Sequence, residues 1–107
     1  MDIKISSKHM DLTPAIEQYA EKKVQKLSRF FDRIQEISVV IEKIKNDYRT
    51  EIIVDVEHHD DFVATGDDQD LYASIDASAD RMTRQLSDHK SKLRDNKHHT
   101  PTGGNQA

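Results

Sequence analysis

Two segments rich in β-branched residues, EISVVIE (36–42) and YRTEIIVDVEHH (48–59), alternate apolar and polar side chains on either side of Lys45-Asn46-Asp47. A period of two marks strands with one face buried and one face wet. Asn and Asp between two such runs favour a turn. Ile37, Val39 and Ile41 on the first segment, with Ile52, Val54 and Val56 on the second, are the candidate inward positions. The helical patterns on either side are the candidates to cover them.

Ahead of the hairpin, Ile3 and Ile5 alternate with polar neighbours as in a short strand. Thr13 is placed to cap a helix that has Pro14 at its first position. Ile16, Ala20, Val24, Leu27 and Phe31 then repeat at helical spacing, which predicts a helix to about Phe31. Behind the hairpin, Phe62–Thr65 reads as a short strand stopping at Gly66, and Gly66–Asp70 as a loop. A long helix follows, capped by Asp68 or Asp70, with an acidic first turn that suits the dipole. Its inward positions are Leu71, Ile75, Ala79, Met82, Leu86 and Leu93. From Asn96 the periodicity ends, and HHTPTGGNQA reads as a mobile tail. The expected fold is α+β with element order β-α-β-β-β-α, a four-stranded sheet with both helices packed on one face. Residues 1–95 form its single domain and 96–107 a flexible C-terminal tail.

The chain of 107 residues has no cysteine, which excludes disulfides, thiol catalysis and Cys-ligated zinc. Its apolar runs reach only two or three residues, far short of a membrane span, and the N-terminus lacks a signal-peptide core. A cytoplasmic protein without membrane contact is expected.

EHHDD (57–61) is the best-looking metal or acid–base cluster. Neighbours on a strand point to opposite faces, so His58 and His59 cannot both ligate one ion without a bulge or turn. A solvated turn is the simpler reading. DDQD (67–70) lacks the calcium-loop pattern and reads as helix capping. His98 and His99 fall in the tail. No GxSxG and no phosphate-cradling glycine loop is present. The expectation is a non-enzyme with no metal, no cofactor and no small-molecule substrate. The aromatics, Tyr19, Phe30, Phe31, Tyr48, Phe62 and Tyr72, are too scattered for a base-stacking platform, and Phe30 and Tyr72 read as core or core-edge residues.

The formal charge of −4 is unevenly spread. Residues 1–40 hold seven basic and six acidic side chains, 41–72 three and ten, and 73–107 six and four. On the first helix Lys22, Lys26, Arg29 and Arg33 fall within about 60° of one another, opposite the apolar stripe, with Lys23 at the edge. On the second, Arg81, Arg84 and Lys92 share the outer side, and Lys90, Arg94 and Lys97 cluster near the C-terminal end. Side by side, the two helices would offer a continuous basic surface. Lys and Arg near helix ends are also favoured by the dipole and by solubility. Periodicity alone therefore leaves a solvated face and a polyanion grip both open.

DLYASID (70–76) and DRMTRQLSDHKSKLR (80–94) resemble the C-terminal helix of the ribosome hibernation promoting factor family, which includes ribosome-associated inhibitors and sigma-54 modulation proteins. ISSKHMDLTPAI (5–16) and KKVQKLSRFFDRI (22–34) are similar to that family's strand-to-helix entry and first helix. The resemblance covers about residues 1–95, and the shortness of the chain is similar to the family's short form. It implies a fold like that of double-stranded RNA-binding domains. It further implies binding to the small ribosomal subunit, to 16S rRNA and neighbouring ribosomal proteins, in the channel used by mRNA and tRNA anticodons. Translation would be blocked in stationary phase and ribosome dimers favoured, by a protein that is monomeric when free.

The positions that match the family's RNA-contacting residues are Lys23, Lys26 and Arg33, then Arg81, Arg84, Lys90, Lys92 and Arg94, with Gln85 and His89 beside them. Lys22 and Arg29 look like local additions. Asp88 departs from the pattern, where a basic residue is common. Two alternatives stand beside this reading: an inhibitor acting on monosomes without dimerisation, and an acidic face around Asp55–Asp70 that docks a protein partner.

Overall fold

The computed structural model describes residues 1–30 and 32–98, with side chains followed to residue 93. The readings of Phe31, Arg94, Lys97, His98, His99 and the tail lie outside the described side chains. The elements are β1 (Asp2–Lys8), α1 (Pro14–Gln25), β2 (Ile34–Ile44), β3 (Asp47–Val56), β4 (Phe62–Asp68) and α2 (Leu71–His98), in the expected β-α-β-β-β-α order. The four strands form one sheet in the order β1-β2-β3-β4. β1 lies parallel to β2, while β2–β3 and β3–β4 are antiparallel. A parallel pair needs a crossover, and α1 supplies it.

This topology fixes the direction of both helices. α1 runs back against β1, and α2 runs back against β4, so the two helices are parallel. Their C-terminal halves therefore gather at one end of the sheet, together with the start of β2 and the β3–β4 turn. That end is called the basal end below.

The expected inward positions close the core. Ile37, Val39 and Ile41 of β2 face Ile52 and Val54 of β3, all fully buried, against Ala20 and Val24 of α1, Leu27 of the turn after it, and Ile75, Met82 and Leu86 of α2. Thr13 caps α1 as its spacing suggests, its Oγ1 accepting from the Ile16 N–H at 3.2 Å. Asp70 caps α2, accepting from Tyr72 N–H at 3.3 Å. The first turn of α2 itself holds no acid, because the carboxylates of DDQD all precede it.

Four expectations are corrected. α1 ends at Gln25 and continues to Arg29 only as a 3-10 turn, with Ser28 Oγ donating to the Gln25 carbonyl at 2.9 Å. A serine that bonds the backbone competes with α-helical pairing. β4 does not stop at Gly66 but runs through it to Asp68, Gly66 pairing with Thr50. Leu93 is not core: it is 44 % exposed. α2 has 28 residues, about 42 Å, against about 23 Å for the seven-residue β4, so its last turns overhang the sheet. Tyr72 is likewise exposed at 38 %.

Candidate nucleic-acid interface

The seam between α1 and α2 is held by polar contacts. The Tyr19 ring stands edge-on to Tyr72 at 4.9 Å. Its hydroxyl donates to Asp76 Oδ1 at 2.7 Å, and Lys23 Nζ pairs with the same oxygen at 3.1 Å. The hydrogen bond to Asp76 raises the pKa of both Tyr19 and Lys23. Lys23 therefore spends its charge on Asp76. Farther along, Phe30, Asp80, Thr83, Arg84, Ser87 and Asp88 bound a crevice of about 360 Å³. Asp80, Arg84 and Asp88 follow at intervals of four, an acid–base–acid row that dilutes the basic surface along the seam.

On its other flank α2 is stitched to the free edge of β4. The Arg81 guanidinium donates through Nη1 to the Thr65 carbonyl, and Gln85 Nε2 to the Val63 carbonyl at 2.9 Å. Residues four apart on the helix meet residues two apart on the strand, because about 6 Å of rise separates each pair. One turn on, His89 packs edge-on against Phe62 at 5.1 Å and against His59 at 4.6 Å, while His59 and Phe62 stack at 4.6 Å with ring planes 5° apart. Burial, then His59 and Lys92, lowers the His89 pKa below the usual histidine value.

The sequence-selected residues thus fall into two sets. Lys23, Arg81, Gln85 and His89 hold the helices in place. Lys22, Lys26, Arg29, Arg33, Arg84, Lys90 and Lys92 are exposed, with no ion pair or side-chain hydrogen bond to the described residues. Lys26 and Arg29, three apart in a 3-10 turn, project from the same side. With Arg33, Lys90 and Lys92 they concentrate toward the basal end, which also holds Asp32 and the turn acids Glu57, Asp60 and Asp61. The acids Asp67, Asp68 and Asp70 lie at the opposite end, where Asp67 is bound by Arg49 at 2.9 Å. On the open sheet face acids outnumber bases, and Lys4 is paired with Glu36 at 3.5 Å.

EHHDD forms a turn, with His58 at φ 62 and the other residues exposed. Among the described residues no group of His, Asp and Glu is arranged to hold a metal ion, and no helix is long and apolar enough to cross a membrane. Sequence reading missed the His59–Phe62–His89 cluster. Its members lie on a turn, a strand and a helix, and only the antiparallel run of α2 along β4 brings them together.

The fold and surface define a class: small α+β domains that present exposed cations of a long helix and a 3-10 turn from a sheet-backed scaffold. Residues 3–94 match the family model described as Sigma 54 modulation protein / S30EA ribosomal protein, and the chain belongs to that family. It is 37 % identical over 94 residues to a ribosome hibernation promoting factor of Azotobacter vinelandii, covering 86 % of this chain and 85 % of that one. Its counterpart in Escherichia coli K12 is 32 % identical over 94 residues, covering 88 % and 98 %. The solved Protein Y N-terminal domain of Thermus thermophilus superposes with a TM-score of 0.75 at 33 % identity, covering 83 % of this chain and 99 % of that one. A ribosomal subunit interface protein from Coxiella burnetii shares the fold, with a TM-score of 0.78 at 23 % identity over 85 % and 99 % of the two chains.

Proposed function

We propose that this protein is a non-enzymatic, cytoplasmic ribosome hibernation factor. It binds rRNA of the small subunit through the cations of its 3-10 turn and α2, occludes the decoding channel, and favours ribosome dimers in stationary phase. The observation that carries the reading is the set of exposed cations at the basal end, Lys26, Arg29, Arg33, Lys90 and Lys92, none bound to a described carboxylate. Desolvating and holding that many like charges near one another favours a polyanion as partner. Family membership and the names of the relatives supply the ribosome as its source.

Arg84 and Lys92 lie on the outward arc of α2 and make no ion pair to described residues. Reversing both to Glu is expected to weaken co-sedimentation with small subunits and to flatten its salt dependence, each phosphate contact adding about −0.9 or −0.7 to the slope for duplex or single strand. Unchanged pelleting of that double variant overturns the site. A sucrose gradient of ribosomes with the wild-type protein separates the activities: a dimer peak supports dimerisation, and a persistent monosome peak assigns inhibition without it.

A further inference from the structure

The geometry points to a seat for one unpaired base of RNA in the crevice beneath the overhanging end of α2, stacked on the free face of His59. This deepens the RNA-binding reading and rests on it. The crevice has a volume of about 410 Å³, bounded by Asp32 and Arg33 ahead of β2, Glu57 and His59 of the β3–β4 turn, and His89 and Leu93 of α2. That volume lies within the ~300–1,000 Å³ typical of small-molecule sites.

Among the described residues, the ring contacts leave one face of His59 open. His59 and Phe62 are parallel at 4.6 Å, and the His89 centroid lies 4.6 Å from one and 5.1 Å from the other. Those three distances make a nearly equilateral triangle, so His89 sits beside the stack and not on its far side. His59 is part of the wall of the crevice and Phe62 is not, so the crevice reaches His59 away from its contact with Phe62. The imidazole is also held in place. Its Nδ1 lies 2.6 Å from the Asp60 carbonyl, which can only accept, so Nδ1 donates to it. A ring backed by an aromatic and fixed by a hydrogen bond is a preorganised platform, which lowers the ordering cost of a ligand.

The rest of the wall selects the ligand. Leu93, 44 % exposed, offers an apolar flank to a flat ring. Asp32 and Glu57 repel a bare anion but accept hydrogen bonds from the N–H and amino groups of a base edge. Arg33 stands at the same wall, and Lys92 flanks the His59–His89 pair on its other side, both suited to the neighbouring phosphates. An aromatic body with hydrogen-bond donors on its edge and negative charge on its tether is an unpaired nucleotide. A base at a bulge or loop can be splayed into such a seat.

The test is co-sedimentation with small ribosomal subunits across a salt series, using wild type, His59→Ala and Leu93→Ser. Leu93 is exposed, so its variant folds whether or not the turn tolerates alanine. Stacking contributes to affinity without releasing counterions. Both variants are therefore expected to bind about fivefold or more weakly at every salt concentration, with the slope of log affinity against log salt unchanged. Base-specific chemical probing of the rRNA is expected to show an unpaired base protected by wild type and reactive with His59→Ala. Wild-type affinity in both variants overturns the proposal, as does a loss of affinity with no base becoming reactive, which would assign the crevice to a protein partner. These results leave the RNA-binding reading standing; failure of the wild type itself to pellet would overturn that reading and this one together.

Discussion

Gly66 carries the closest approach of α2 to the sheet. A Cβ built there would lie 2.6 Å from both the Ser74 carbonyl oxygen and the Ser78 nitrogen, and these are backbone atoms that cannot rotate aside. Gly66→Ala is expected to push α2 off β4 and to destabilise the fold by about 1–3 kcal/mol, read from the denaturant midpoint at unchanged m-value. Around this contact the helix carries small hydroxyl residues, and their protons are accounted for: Ser74 Oγ donates to the Leu71 carbonyl at 2.6 Å, so Thr50 Oγ1 donates to Ser74 Oγ at 2.8 Å. His89 sets a second prediction. Its native pKa is depressed chiefly by burial, so on acidification the unfolded chain takes up the proton first. Stability from this group is complete above the usual value of 6.5 and is lost as pH falls from there through the native pKa. Thermal scans of wild type and His89→Gln are expected to differ most above pH 6.5 and to converge as the pH drops below it. A gap that widens on acidification contradicts the sign.

The α2–β4 seam is where identical residue types take different work. β4 is an edge strand, and unpaired edge carbonyls invite pairing with other chains. Arg81 and Gln85 occupy those of Thr65 and Val63. The double variant Arg81→Ala, Gln85→Ala is expected to lose about 0.5–1.5 kcal/mol per hydrogen bond in denaturant titrations while leaving the salt slope of ribosome binding unchanged. A reduced slope would return Arg81 to the RNA-facing set. This division was not legible in the sequence. Arg81 and Arg84 are three apart on a helix whose apolar stripe gives phase but not the position of its neighbours. The element order, the Thr13 cap, an Asp68 or Asp70 cap for α2 and the inward positions up to Leu86 were legible, because period and capping are local. The overhang at Leu93 was not, since the stripe continues past the point where the sheet ends. The 3-10 ending of α1 was also hidden, because Ser28 at a helical position differs from any exposed serine only through its bond to Gln25.

The direction of β1 decides how charge is arranged in the molecule. An antiparallel β1 would have needed no crossover helix, and α1 would not run parallel to α2. With β1 parallel to β2, both helix C-termini reach the basal end, where cations complement the dipoles, and the Asp67–Asp70 acids fall at the other end. A chain of net charge −4 can thus present a pole of unpaired cations to a polyanion, although Asp32, Glu57, Asp60 and Asp61 interrupt that pole, while the Asp67–Asp70 end is repelled. The 3-10 turn and the end of α2 form separate parts of that pole, so their contributions should add. Lys26→Gln with Arg29→Gln, and Lys90→Gln with Lys92→Gln, are each expected to reduce the magnitude of the salt slope by about 1.8 if all four side chains meet duplex phosphates. The quadruple variant should lose about twice as much. Arg49→Gln, on the open sheet face and already bound to Asp67, should leave the slope unchanged. A slope that falls with Arg49→Gln and not with the basal pairs would reverse the orientation and move the contact surface to the sheet.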